Sequence, residues 1–380
     1  MQRIIDNEDL CSGCHACFSV CPIGCIQMEL DKEGFLYPVI NQELCIHCGL
    51  CQRACNIVNE KRDKEIIPTA YAIMSNNEEE RINSSSGGVF ALLCRNVIAD
   101  NGIIFAVEFN AKEKRIQHVG VESYEDIYKL QGAKYAQSAV GKVFHQVKEN
   151  LEKDRLVLFV GTPCQIAGLD AFLGKRYNKL ILVDFICHGV PSQKLMLKYL
   201  NQFIKEDFAG VRINFRDKKF GWQYYSFLIE KDDKTIYRKI FKEDGYLCAF
   251  IKNKTLRKSC YKCSHKTLDR KSDITLGDFW GVTSIIPDMN DGKGTSLVLV
   301  HTEKGQKLIR EIEPSAKVRK VDAQIAIKHN PSAVKSVAMP KIRETIYDEI
   351  DKNSIKHVLR EKISFIEKMK IRLKILLRKR

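Results

Sequence analysis

The chain has 380 residues, 44% hydrophobic and 29% charged, which excludes a collagenous or disordered design and leaves room for two or three domains. No apolar run reaches the eighteen residues of a membrane-spanning helix, and Asp6, Glu8 and Asp9 break up the start where a secretory signal core would lie. The net charge of +15 is uneven: residues 355–380 carry ten Lys or Arg against two Glu, so about half of it belongs to the tail and no nucleic-acid-binding body is expected.

The fifteen cysteines have spacings of metal-ligating thiolates, not of a secreted disulfide framework, so the expected compartment is cytoplasmic. Cys11, Cys14, Cys17 and Cys21 form C-x2-C-x2-C-x3-C, and the same spacing recurs 34 residues later as Cys45, Cys48, Cys51 and Cys55. In such runs the first three thiolates wrap one [4Fe–4S] cluster and the fourth serves its neighbour. The spacing therefore predicts one cluster on Cys11, Cys14, Cys17 and Cys55 and a second on Cys45, Cys48, Cys51 and Cys21. Zinc would use paired C-x2-C but has no need of this doubled run. Pro22 follows the first run, whereas Asn56 follows the second; Cys25 is surplus and is expected to be a buried thiol. Between the runs, residues 26–45 predict two short strands around a turn at Lys32, Glu33 and Gly34.

After a charged stretch, "NEKRDKEIIP", strands and helices alternate to about residue 330. "AYAIMSN" and "GIIFAVEF" predict strands flanking a helix in "GGVFALLCRNVIADNG". "RLVLFVG" and "LILVDFICHG" are apolar runs of the kind that form buried strands, with a helix in "TPCQIAGLDAFLGKRYN" between them. "FLIEKDDKTIYRKI" predicts a hairpin and "TSLVLVHTEKGQKLI" a strand and helix. A second cysteine set, Cys164, Cys187, Cys260 and Cys263, has thiols enough for one more cluster, though zinc or simple core packing also fits. Cys94 and Cys248 sit in apolar surroundings and are expected to pack. Residues 83–90, "NSSSGGVF", open a helix whose free backbone N–H groups suit a phosphate, but a plain Ser-capped helix start explains them more simply. No G-x-G-x-x-G or phosphate loop is present.

Eight segments in order, "SSSGGVF", "GAKYAQS", "VLFVGTPCQIAGL", "VDFICHGVPS", "NFRDKKFGW", "CYKC", "SDITLGDFWG" and "DGKGTSLV", resemble the beta subunit of coenzyme F420 hydrogenase and related dehydrogenases, here behind a two-cluster ferredoxin. The resemblance implies FAD beside one [4Fe–4S] cluster, and so favours Cys164, Cys187, Cys260 and Cys263 as that cluster's ligands. By motif position it implies flavin contacts from Ser84, Ser85, Ser86, Gly87, Gly88, Lys134, Tyr135, Thr162, His188, Trp222 and Asp278. It singles out no catalytic residue and does not establish F420 as the substrate.

The expected fold class is α+β: a ferredoxin-type module over 1–62, a mixed α/β flavin-binding domain over 66–330, and a basic helical extension over 331–380. The expected function is an iron–sulfur flavoprotein oxidoreductase, passing electrons between a ferredoxin or other redox protein and a small organic substrate or deazaflavin. Two rivals are a non-catalytic relay subunit and a membrane-recruited accessory protein of glycan or polysaccharide assembly. Ile355, Val358, Leu359, Ile363, Ile366, Met369, Leu373 and Leu376 or Leu377 place one apolar face on the tail, suited to an anionic inner-membrane surface, to docking on the domain itself, or to a partner coil.

Overall fold

The structure, a computed structural model, describes residues 4–59, 67–205 and 207–360, together with Met369 and Arg372. Thirteen strands are present among them: β1 (Ile26–Leu30), β2 (Leu36–Ile40), β3 (Thr69–Ser75), β4 (Ile103–Asn110), β5 (Arg115–Val121), β6 (Val157–Val160), β7 (Leu180–Phe185), β8 (Val211–Asp217), β9 (Ser226–Lys231), β10 (Lys234–Ile240), β11 (Ile274–Asp278), β12 (Ser296–Val300) and β13 (Ala316–Val321). β1 and β2 pair as the antiparallel hairpin expected around Lys32–Gly34.

The main body is an eight-stranded sheet in the order β13-β3-β12-β11-β7-β6-β4-β5. Its centre, β4, β6, β7 and β11, is parallel, and antiparallel strands extend both flanks. The central runs are apolar on both faces because helices cover both. In β6, Leu158 and Val160 join one core with the helix Val89–Ala99, while Val157 and Phe159 join another with the helices Val143–Glu152 and Pro163–Leu173. Alternation along a strand divides those residues between the two faces.

A second sheet, β10-β9-β8, carries the hairpin expected at 227–240. Its two-residue turn, Asp232–Asp233, has positive φ at both positions, which suits the twist of a tight hairpin. This sheet packs with the helices Gln193–Leu200 and Gly245–Ile251 and with Ile346, Ile350, Ile355 and Leu359 in one core. The start of the tail's apolar face, Ile355 and Leu359, is therefore buried in the protein itself and is not free for a membrane. Ile363, Ile366 and Leu373 lie outside the described residues. No helix among the described residues is long and apolar enough to cross a membrane.

The ferredoxin module is fixed to the body through its hairpin turn. The Arg343 guanidinium, fully buried, forms a bidentate pair with Glu33 (Nη1 to Oε1 2.8 Å). Lys194 Nζ donates to Lys32 O at 2.8 Å, and a side chain on Gly34 (φ +85°) would collide with Lys194. Glycine is required there by both backbone and space. Arg343, in the helix Ile342–Glu349, thus ties the start of the C-terminal segment to the module.

Candidate iron–sulfur and cofactor site

The eight N-terminal cysteines fall into two groups. Cys14 lies within electrostatic reach of Cys11 and Cys55, and Cys17 of Cys11, Cys14 and Cys55. Cys51 has Cys45 and Cys48 as its neighbours, while Cys21 and Cys25 approach to 3.4 Å and Cys25 is also close to Cys45. Cys55 thus lies with the first run's triplet, and Cys21 approaches the second run's triplet through Cys25. Cys48 is exposed, whereas burial pushes the Cys14 thiol up to about 11. The first group faces the protein body and the second faces solvent. Cys25 is buried, as expected of a surplus thiol, but it does more than pack, because its sulfur touches that of Cys21.

The second cysteine set converges at the carboxyl ends of the parallel strands, where loops of α/β sheets gather functional groups. Cys164 lies in the first turn of the helix Pro163–Leu173, straight after β6, and Cys187 lies two residues after β7. Cys260 and Cys263 come from the short turn of helix Lys258–Lys262 and its cap. Cys164 interacts with Cys263 and Cys187, and Cys260 with Cys187 and Cys263. Burial raises the titrations of Cys164, Cys187 and Cys260, the last to about 12. Thiolates at such a site need a compensating positive charge, and an all-sulfur donor set of four suits iron in a cubane cluster. Lys266 adds charge by donating to the Cys187 carbonyl. No three His, Cys, Asp or Glu side chains among the described residues could hold a single metal ion. Cys94 is fully buried in the core, and Cys248 donates to Phe241 O and Lys242 O.

The two thiol regions adjoin. Cys164 is within electrostatic reach of Cys14, and a side chain on Gly168 would come within 3.0 Å of the Cys14 sulfur. Asn56 Nδ2 donates to Cys14 Sγ at 3.7 Å and to Cys164 O at 3.2 Å. Arg257, fully buried, donates to Cys11 O at 2.8 Å and to Leu36 O at 3.0 Å, while its own carbonyl accepts from Cys260 N. Sequence reasoning missed Arg257 altogether and read Asn56 only as a departure from proline.

The residues expected to touch a flavin divide between two places. Thr162 and His188 belong to the thiol site. Thr162 caps the helix Pro163–Leu173 in a capping box with Gln165, and its Oγ1 lies 3.1 Å from Cys164 Sγ. The His188 ring meets Phe250 edge-on at 5.1 Å, and Phe250 stacks on Tyr135 at 4.6 Å. Tyr135 leads to the second place: its hydroxyl accepts from Arg216 Nη1 at 3.3 Å. Arg216 Nη1 also donates to Asp278 Oδ2 at 2.5 Å, and Trp222 Nε1 donates to Asp278 Oδ1 at 3.2 Å. Trp222 is buried and stacks on Trp280 at 4.9 Å.

The serine–glycine loop adjoins this second place through Lys218, whose Nζ donates to the carbonyls of Ser86, Arg81 and Lys293. Ser84 Oγ donates to Glu80 O, Ser85 Oγ accepts from Ala133 N, and Ser86 Oγ donates to Thr295 O. Gly87 packs tightly on β3 and β12, and Gly88 (φ +90°) starts the helix Val89–Ala99. Lys134 caps the carbonyls of Lys129, Leu130 and Gln131. These side chains shape the loop, and its polar groups are largely committed internally. Arg216 is different: its Nε and Nη2 are buried without partners. Burial opposes its charge more than any one neighbour supports it, but the Asp278 carboxylate together with Tyr135 and Tyr225 outweighs that and holds the guanidinium protonated. Two buried donors on a fixed cation, with Tyr135 and the Trp222–Trp280 stack beside them, fit the acceptor atoms and ring of a flavin. Arg216 sits within "NFRDKKFGW" with no sequence signal of its own.

Two family models match the chain. Residues 10–57 match the 4Fe–4S dicluster domain, and residues 154–324 match the C-terminal part of the coenzyme F420 hydrogenase/dehydrogenase beta subunit. One subunit of the F420H2 dehydrogenase of Methanosarcina mazei is 23% identical over 320 residues, covering 79% of this chain and 82% of that protein. The coenzyme F420-dependent sulfite reductase of Methanocaldococcus jannaschii is 23% identical over 316 residues, covering 82% of this chain but 47% of the reductase. Among solved structures, a chain of the F420-reducing [NiFe] hydrogenase complex from Methanosarcina barkeri aligns with a TM-score of 0.47 and 15% identity, over 76% of this chain and 95% of that one. The chain is thus an iron–sulfur protein of oxidoreductase type in which residues 154–324 match the C-terminal part of the coenzyme F420 hydrogenase/dehydrogenase beta subunit, behind a 4Fe–4S dicluster domain at residues 10–57.

Proposed function

We propose that this protein is an iron–sulfur flavoprotein oxidoreductase acting between a protein electron donor and a small organic substrate or deazaflavin. Cys11, Cys14, Cys17 and Cys55 would hold one [4Fe–4S] cluster, Cys21, Cys45, Cys48 and Cys51 a second, and Cys164, Cys187, Cys260 and Cys263 a third. FAD would lie against Arg216, Tyr135 and the serine–glycine loop. Clusters supply one-electron transfer, and a flavin supplies exchange between single electrons and pairs.

The observation that carries the reading is the convergence of Cys164, Cys187, Cys260 and Cys263 beside Cys14 on one side, and beside the His188–Phe250–Tyr135–Arg216 series on the other. The chain's own residues hold the thiolates, keep water from them, and fix a buried cation where a ligand's acceptor atoms would face it. The exposed Cys48 side of the ferredoxin module suits approach by a ferredoxin or another redox protein. The relative named as part of a dehydrogenase supports a stable partner as well. A membrane role for residues 355–380 rests on their apolar and basic sequence pattern, most of which lies outside the described residues.

Anaerobically purified protein should contain about twelve irons, three clusters of four, and one releasable FAD. Cys164→Ser should lose about four irons and leave the ferredoxin signals intact. About eight irons with no flavin would refute the enzyme and support the relay role. Reduced ferredoxin, NAD(P)H and F420 are the redox partners to test next.

A further inference from the structure

Asn56 occupies the position where the first cysteine run has Pro22. A proline carries no side-chain donor, whereas the carboxamide of Asn56 offers two N–H groups from one nitrogen. One is directed at the Cys14 sulfur, 3.7 Å away, and the other at the Cys164 carbonyl, 3.2 Å away. Gly168 keeps the approach close, since a Cβ there would press on both Cβ and Sγ of Cys14. Asn56 Oδ1 is buried without a partner, so the amide is oriented by its two donor contacts and not by its oxygen.

We infer that Asn56 is a positioning residue joining the ferredoxin module to the third thiol site, and that it raises the reduction potential of the cluster held by Cys14. The inference rests on the cluster reading proposed above. A donor to a ligating sulfur draws off negative charge, and it does so most in the reduced state, which carries one more electron. The same amide tethers the Cys164 backbone, so the tuned cluster is the one nearest the third site. The solvent-facing group of Cys45, Cys48 and Cys51 receives nothing from Asn56.

The test is a dithionite titration of the full-length protein followed by electron paramagnetic resonance, with iron content measured on each sample. Asn56→Leu removes both donors at similar size, and Asn56→Asp keeps the shape but replaces the donors with a carboxylate. Both variants should hold wild-type iron, and one of the cluster signals should become about tenfold harder to reduce, 59 mV for a one-electron couple, with the others unmoved. Leu adds no charge, so its shift reads the lost donors alone and a purely space-filling role predicts that Leu behaves as wild type; Asp, which adds a negative charge, should shift the signal further. Unchanged midpoints in both variants at full iron content would overturn the inference while leaving the clusters in place. A wild-type protein without cubane iron would instead overturn the cluster reading itself, and Asn56 with it.

Discussion

Arg257 offers the most direct measure of how firmly the ferredoxin module is held. Its side chain is fully buried, and two of its three hydrogen bonds, to Cys11 O at 2.8 Å and Leu36 O at 3.0 Å, cross to the module; the third goes to Gln137 Oε1 at 3.0 Å. The guanidinium also lies 4.0 Å from the Tyr37 ring centre. Hydrogen bonds from a charged donor contribute about 1.5–3 kcal/mol each, and a cation–π contact about 0.5–2. Arg257→Met keeps much of the packing and removes the cost of burying a charge, which offsets part of the loss. The expected net cost is about 3 kcal/mol, roughly a hundredfold in the docking equilibrium. Both tryptophans of the chain, Trp222 and Trp280, lie in the larger body, so their fluorescence follows that part alone. Circular dichroism and cluster absorbance follow the whole. In anaerobic urea unfolding the wild type should show coincident transitions, and Arg257→Met should lose the module's share of the visible absorbance before the fluorescence changes. Arg257→Lys should fall between, because one ammonium cannot span three acceptors set for a planar fork. Coincident transitions in Arg257→Met, within about 1 kcal/mol of wild type, would refute the argument.

Gly168→Ala sets about 1 kcal/mol of gained helix propensity against about 1–3 kcal/mol of overpacking on Cys14, so a net loss is expected and Gly168→Val should lose more; thermal unfolding with iron retention decides it. Asp278→Ala leaves the buried Arg216 charge unpaired and should cost about 3–5 kcal/mol, with much of it recovered in the Arg216→Met, Asp278→Leu double variant. Burial lowers His118 to about 4 and His301 to about 3, so neither takes up a proton in the fold until well below the ordinary value near 6.5. Below pH 6.5 the unfolded chain binds protons that the fold refuses, and stability falls by about 1.4 kcal/mol per pH unit for each histidine, down to about pH 4. Between pH 6.5 and 5.5, where the unfolded imidazole is still titrating, the stability measured by urea unfolding should fall by about 1 kcal/mol less in His118→Asn than in wild type; equal falls would count against the assignment.

What could be read from the sequence follows from the range of each interaction. The cysteine runs are local, and ligand spacing alone pointed to Cys55 standing with Cys11, Cys14 and Cys17. The apolar runs of β6 and β7 were legible because a strand covered on both faces needs no alternation. β8 and β13 were not: "AKVRKV" exposes its charges, "VRINFRD" exposes Arg212 but buries the charged Arg216, and neither has a continuous apolar signal. The site was legible only where it lay inside a recognisable motif. Thr162 and His188 were found but belong with the thiols, because the strand ends that carry Cys164 and Cys187 also carry them. Arg216 acquires meaning only through Asp278, 62 residues away, and Arg257 through Cys11, 246 residues away. Pairings of that span leave no trace in one sequence.

The crossing of the two cysteine runs explains why Asn56 can act at the module boundary. If each run kept its own fourth cysteine, Cys55 would stand with the exposed Cys48, and residue 56 would be carried toward solvent. Instead Cys55 lies with Cys11, Cys14 and Cys17, and the next residue reaches Cys164. This makes the crossing testable by resemblance between variants. Cys14→Ser defines the signature of losing the inward cluster, and Cys48→Ser that of losing the outward one. Cys55→Ser should reproduce the spectrum and midpoints of Cys14→Ser, and Cys21→Ser those of Cys48→Ser, although each lies in the other run. The reverse pairing would show that each run closes on itself, and Asn56 would then have no place beside the inward cluster.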